Sequence, residues 1–168
     1  MNNMPETTLI LGVGNEIMGD ESFGVHVVRR LKESPVPENV RVEEGGVGGF
    51  SLLGLVEGAG RIIVVDVMMA DIPPGEVCLF RPGPDFGEPG KSIISFHQVG
   101  VLELARMWEL LGHRPEVFFL VTRPEKIEWG TELSAPVSKA VSRAARLLQD
   151  LFRDNFTGLE RSLSLCTS

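Results

Sequence analysis

The run Ile62-Ile63-Val64-Val65-Asp66-Val67 restricts the fold of this chain more than any other feature. A continuous β-branched stretch offers no polar side to water, so it fits a strand buried on both faces of a parallel sheet. Such a strand needs helices above and below it, and the rest of the chain supplies them. Thr8 to Gly12 reads as a first strand. Ser22 to Lys32 reads as a helix, with Val25, Val28 and Leu31 at helical spacing. Arg29, Arg30 and Lys32 lie near its C-terminal end, where cations complement the helix dipole. Ser34-Pro35-Val36-Pro37 ends that helix and leads to a strand from Val40 to Glu44. Gly45-Gly46-Val47-Gly48-Gly49 is a tight loop before a short helix through about Glu57.

Pro73-Pro74-Gly75 turns the chain into Glu76 to Arg81, a strand nearer the sheet edge, and Pro82 to Gly90 is a loop. Ser95 and Gln98 form a capping box for a helix that stops at Gly112. Its buried side is drawn from Val99, Leu102, Met107, Leu110 and Leu111. Val117 to Val121 is the last strand. Ser134 caps a final helix running to roughly Arg153, with Pro136 tolerated in its first turn. Beyond Asp154 the periodicity fades, and residues 154–168 are expected to form a mobile or loosely docked tail. Alternating strands and helices imply an α/β fold: a three-layer α/β/α sandwich around a mainly parallel, five-stranded twisted sheet, with four main helices. The 168 residues suffice for one domain over 1–168, with its core at about 7–153.

A net charge of −7 argues against nucleic-acid backbones and anionic membranes as partners. No apolar run reaches the ~18 residues that span a bilayer, and Met1-Asn2-Asn3-Met4-Pro5 lacks the features of a signal peptide. Cys78 and Cys166 give no disulfide framework: one sits in an apolar strand-like run, the other in the tail. The expected setting is a reducing cytoplasm.

Chemistry gathers at the strand ends. Glu16 follows the first strand, Asp66 lies near the end of the third, and His97 opens the helix after the fourth. In doubly wound sheets the first and third strands flank the crevice where ligands bind. Two carboxylates and an imidazole there can hold a divalent metal with open coordination positions. Each residue also has a plainer reading: a solvated loop acid for Glu16, a cap to the following loop for Asp66, a partly exposed helix residue for His97. Asp66 resists that reading most, because burying an unpaired charge is costly. Asp20 and Glu21 precede the first helix, where acids suit the dipole and free N–H groups. Glu44 ends strand two at the same edge. Glu44, Asp20, Gly45 and Gly46 are candidates for contacting substrate or supporting the metal ligands, while His26 and His113 read as structural. The chain has no G-x-S-x-G elbow, no H-E-x-x-H and no C-x-x-C. Gly12-Val13-Gly14-Asn15-Glu16-Ile17 lacks the third glycine of the dinucleotide fingerprint, and Glu16 would repel a pyrophosphate.

Gly12-Val13-Gly14-Asn15-Glu16 with Gly19-Asp20-Glu21-Ser22-Phe23-Gly24 resembles the N-terminal signature of the nickel-iron hydrogenase maturation endopeptidases. Four further blocks agree: Glu44-Gly45-Gly46-Val47-Gly48-Gly49, Val64-Val65-Asp66 with Pro74-Gly75, Ser95-Phe96-His97-Gln98, and Glu128-Trp129-Gly130-Thr131-Glu132-Leu133-Ser134. The resemblance runs from about residue 7 to 150. It implies a single α/β domain that removes a C-terminal extension from a hydrogenase large-subunit precursor after nickel insertion. The implied partner is that nickel-loaded precursor, so nickel arrives with the substrate, and other divalent cations can occupy the same site. The family's metal-contacting residues fall on Glu16, Asp66 and His97, and its glycine-loop acid falls on Glu44. Ser22 stands where glycine is usual, Glu44 where aspartate is, and Val47 where threonine is common. The alternative is a non-proteolytic metal-sensing chaperone or binding module for the precursor. A nucleotide-binding domain is a third reading, disfavoured by Glu16 and the missing glycine.

Overall fold

A computed structural model describes residues 6–46, 52–83, 103, 106, 107 and 109–163. Five strands form one sheet: β1 (Thr8–Val13), β2 (Val40–Gly46), β3 (Arg61–Val67), β4 (Val77–Phe80) and β5 (Glu116–Thr122). Their spatial order is β2-β1-β3-β5-β4. All pairings are parallel except β4 against β5. β4 is the edge strand that the Pro73-Pro74-Gly75 turn announced.

Helices α1 (Phe23–Lys32) and α3 (Ala135–Arg153) cover one face of the sheet, and α2 (Leu52–Val56) lies on the other. The alternation of strand side chains makes this possible. Ile10, Ile63, Val65, Phe118 and Leu120 pack with Val27, Val28 and Leu31 of α1 and Val137, Ala144 and Leu148 of α3. Leu9, Leu11, Val13, Ile62, Val64 and Phe119 pack with Leu52 and Val56 of α2. The result is the expected α/β sandwich.

Three expectations fail. The segment after Asp154 is packed rather than loose as far as residue 163. Phe156 and Leu159 are buried in the α1/α3 layer, Leu159 opening a short helix α4 (Leu159–Ser162). Asn155 and Phe156 take positive φ values of 51° and 63°. Such a reversal interrupts the helical period, which is why the pattern fades while burial continues. Next, the helix expected from Ser95 begins outside the described residues. Its described part turns at Gly112 as expected, but Met107, Leu110 and Leu111 are exposed, Leu110 by 87%. Periodicity shows which side chains share a face; whether that face meets the sheet depends on where the helix lies. Last, Cys78 is buried in β4 and disulfide-bonded, so cysteine usage does not carry the inference of a reducing compartment. Cys166 lies outside the described residues. Among the described residues no helix is long and apolar enough to cross a membrane.

Candidate functional site

The carboxyl edge of the sheet is shaped first by glycines. A Cβ on Gly12 would stand 2.2 Å from the Gly24 carbonyl oxygen, so β1 and α1 touch backbone to backbone. Gly14 has φ +142°, and a Cβ there would meet the Glu21 carbonyl at 1.9 Å. Its N–H donates to the Gly46 carbonyl at 2.8 Å, which ties the turn after β1 to the end of β2. Gly45 sits where the β1–β2 register shifts, and Leu52, Val13 and Leu11 crowd the space a side chain would need. Gly45 and Gly46 therefore shape the edge. Ser22, in the position where glycine was anticipated, is buried, and its hydroxyl donates to the Gly19 carbonyl at 2.7 Å.

This turn presents Glu16 to solvent. Its carboxylate lies 2.6 Å from Arg29 Nη1 of α1. The same guanidinium donates from Nε and Nη2 to the two carboxylate oxygens of Glu44, at 2.9 and 3.1 Å. Arg29 thus clamps two of the acids singled out in the sequence. Those hydrogen bonds hold the Glu44 carboxyl below the usual range and push the guanidinium of Arg29 up. His26, one turn earlier, is lowered by burial first and by Arg29 second. A carboxylate depressed in the folded state contributes stability above its unfolded pKa and loses it as pH falls through the folded value. The stability difference between the protein and Glu44→Gln should be complete at neutral pH and close as pH falls below about 4.3. Urea midpoints compared at pH 7 and pH 3 test this; an unchanged difference would refute it.

Asp66 is the penultimate residue of β3 and is fully buried. Gly12 pairs with Val65, so Asp66 comes one residue past the last β1–β3 pair. Its Oδ1 accepts the Val67 N–H at 2.8 Å. By strand alternation it shares the α2 face with Ile62 and Val64, whereas Glu44 shares the α1 face with Val40 and Val42. Asp66 and Glu16 thus stand at the carboxyl ends of neighbouring strands, where the connections from β1 and β3 diverge in the strand order. That is the switch point of an open α/β sheet. His97 lies outside the described residues. Among the described residues, no group of three or more His, Cys, Asp and Glu side chains is arranged to hold a metal.

Asp20 departs from its expected role as a helix-terminal acid. It is 1% exposed, lies within the turn Gly19–Ser22, and makes no capping bond to that turn or to α1. Its Oδ2 accepts from the N–H groups of Glu125 (2.9 Å) and Lys126 (3.3 Å) and from Ser134 Oγ (2.8 Å); Oδ1 accepts the Ser134 N–H at 2.7 Å. Ser134 does occupy the N-cap of α3, but its hydroxyl goes to Asp20 instead of the helix. Four donors offset the cost of burying the charge. Asp20→Asn turns amide hydrogens toward donors and should lower stability by about 2–3 kcal/mol. An unchanged urea midpoint would contradict this. The anchored loop carries Trp129, 78% exposed, and Gly130 donates to the Ile17 carbonyl at 2.9 Å, beside Glu16. Sequence reasoning marked this loop as a block of the resemblance but missed Arg29 and the tie from Asp20 to the loop. The one available signal was a surplus of acids at a single sheet edge, which calls for a cation.

The hydrogenase maturation protease family model, HycI, matches residues 25–150, a span that begins after Glu16. The chain is similar to the hydrogenase expression/formation protein HupD of Bradyrhizobium diazoefficiens, 34% identical over 137 residues, covering 80% of this chain and 71% of that protein. It is 33% identical to HupD of Rhodobacter capsulatus over 152 residues, covering 86% and 72%. Its fold is similar to that of the hydrogenase maturating endopeptidase HybD from E. coli. There the TM-score is 0.77 at 26% identity, covering 89% of this chain and 93% of that one. The NiFe hydrogenase maturation protease HybD from Thermococcus kodakarensis gives a TM-score of 0.72 at 30% identity, covering 87% and 99%.

Proposed function

Because this chain belongs to the hydrogenase maturation protease family, a family of peptide-bond hydrolases, we propose that it trims a nickel-iron hydrogenase large-subunit precursor. It removes the precursor's C-terminal extension after nickel insertion. Glu16, Asp66 and His97 engage the nickel that the precursor brings. The observation that carries this reading is the placement of Asp66 and Glu16 at the ends of neighbouring strands at the switch point. One carboxylate is buried and fixed, the other exposed at the rim. Carboxylate oxygens joined by an imidazole nitrogen suit a borderline divalent ion such as nickel.

The chain's own residues bind and orient; the metal supplies Lewis-acid polarisation of the scissile carbonyl or a water of lowered pKa. Asp66, held by the Val67 N–H, gives the fixed point of attachment. Ile17 and Trp129, exposed beside Glu16, offer apolar surface of the kind a polypeptide covers.

Mass spectrometry of nickel-loaded and nickel-free precursor after incubation with the protein tests the reading. Loss of a C-terminal peptide from the loaded form alone is expected. Equal trimming of both forms would remove nickel from the proposal, and intact loaded precursor would remove proteolysis.

A further inference from the structure

One guanidinium reaches both rim acids. Arg29 takes Glu44 through both carboxylate oxygens and leaves Nη1 2.6 Å from Glu16 Oε1. The two-point grip on Glu44 matters, because a planar fork held at one edge has its remaining nitrogen aimed in a fixed direction. That direction is toward the Gly14–Glu16 turn, which is itself fixed by the Gly14 to Gly46 hydrogen bond. The resting protein therefore holds Glu16 in an ion pair at the carboxyl end of β1, beside the end of β2.

We propose that Arg29 is a charge lock on Glu16. It occupies the carboxylate until a ligand carrying concentrated positive charge takes its place, and Glu44 keeps the released guanidinium at the rim. This inference rests on the reading of Glu16 as a contact for the precursor's metal. Arg29 is then a positioning residue acting through Glu16, and it makes the site discriminate. A group bringing no multivalent charge leaves the pair closed. A free aqua ion must displace the lock unaided, whereas a metal seated in a precursor arrives with the rest of the protein contact to hold it there. Both the competition for Glu16 and the repulsion between guanidinium and metal weaken binding of a bare cation.

Calorimetric titration of Ni2+ into the intact protein tests this without relying on turnover. Arg29 and Glu16 are both largely exposed, so Arg29→Gln and Glu16→Gln should fold normally, checked by circular dichroism. Removing a unit positive charge a few ångströms from a divalent ion should tighten Ni2+ binding roughly three- to tenfold in Arg29→Gln. That gain should vanish in the Arg29→Gln/Glu16→Gln double variant. Unchanged or weaker affinity in Arg29→Gln, with Glu16→Gln still weakening the parent, overturns the lock but keeps Glu16 as a metal contact. Undiminished affinity in Glu16→Gln overturns the underlying reading and the lock with it, as does the absence of any Ni2+ binding in both the parent and Arg29→Gln.

Discussion

Gly24→Ala is expected to cost about 4 kcal/mol, near the upper end of single-site effects. The new methyl would lie 2.1 Å from the Val65 carbonyl oxygen, 2.6 Å from that of Val13 and 2.9 Å from the Val13 nitrogen. All three are backbone atoms of the two central strands, so no side chain can swing aside to relieve the overlap. The first turn of α1 would have to lift from the sheet, loosening the packing of Val27, Val28 and Leu31. Total stabilities of about 5–15 kcal/mol leave little margin for such a loss. Gly54 supplies the control: it is exposed in α2 with nothing within 4 Å of an added Cβ. Gly54→Ala should be neutral or gain up to about 1 kcal/mol from helix propensity. Thermal and urea unfolding of both variants decide the point; equal effects would show that close helix–sheet contact is not what Gly24 provides.

The second large effect concerns activity. Asp66→Asn and His97→Ala should each reduce trimming of the nickel-loaded precursor by roughly 100-fold or more. Loss of groups that merely support a metal ligand already costs about 10–100-fold, and a direct contact should cost at least as much. Asparagine keeps an oxygen that can accept the Val67 N–H and nearly the same volume, so Asp66→Asn isolates the charge from the packing. His97→Ala removes the single nitrogen donor from the proposed set. Trimming within tenfold of the parent, measured as precursor half-life by mass spectrometry on folded variants, would remove the affected residue from the site.

The parts legible in the sequence share one property: their signals are local. The β-branched run at residues 62–67, the proline at 136 behind a serine cap, and the turn at Gly75 each constrain the residues that carry them. From these the strands, α1, α3 and the parallel sheet follow, and so do the places of Glu16 after β1 and of Asp66 near the end of β3. Asp20 was misread because its partners are Glu125, Lys126 and Ser134, more than a hundred residues away. Nothing near Asp20 in the chain announces them. Arg29 looked like an ordinary cation at the end of a helix for the same reason: Glu44 comes within its reach only when β2 pairs with β1.

The sequence alone determined the five strands and helices α1 to α3, their apolar faces, and the acids that follow the first strand and close the third. Those properties depend on backbone sterics and on side-chain period, both of which act over a few residues. Tertiary structure alone decided which acids are buried, which are paired and with what. Asp20 became an internal tie, Glu16 and Glu44 came to share Arg29, and Asp66 became buried near the end of β3. The electrostatic state of a carboxylate is set by the solvent it loses and the donors it meets. Both are fixed only when distant parts of the chain close around it.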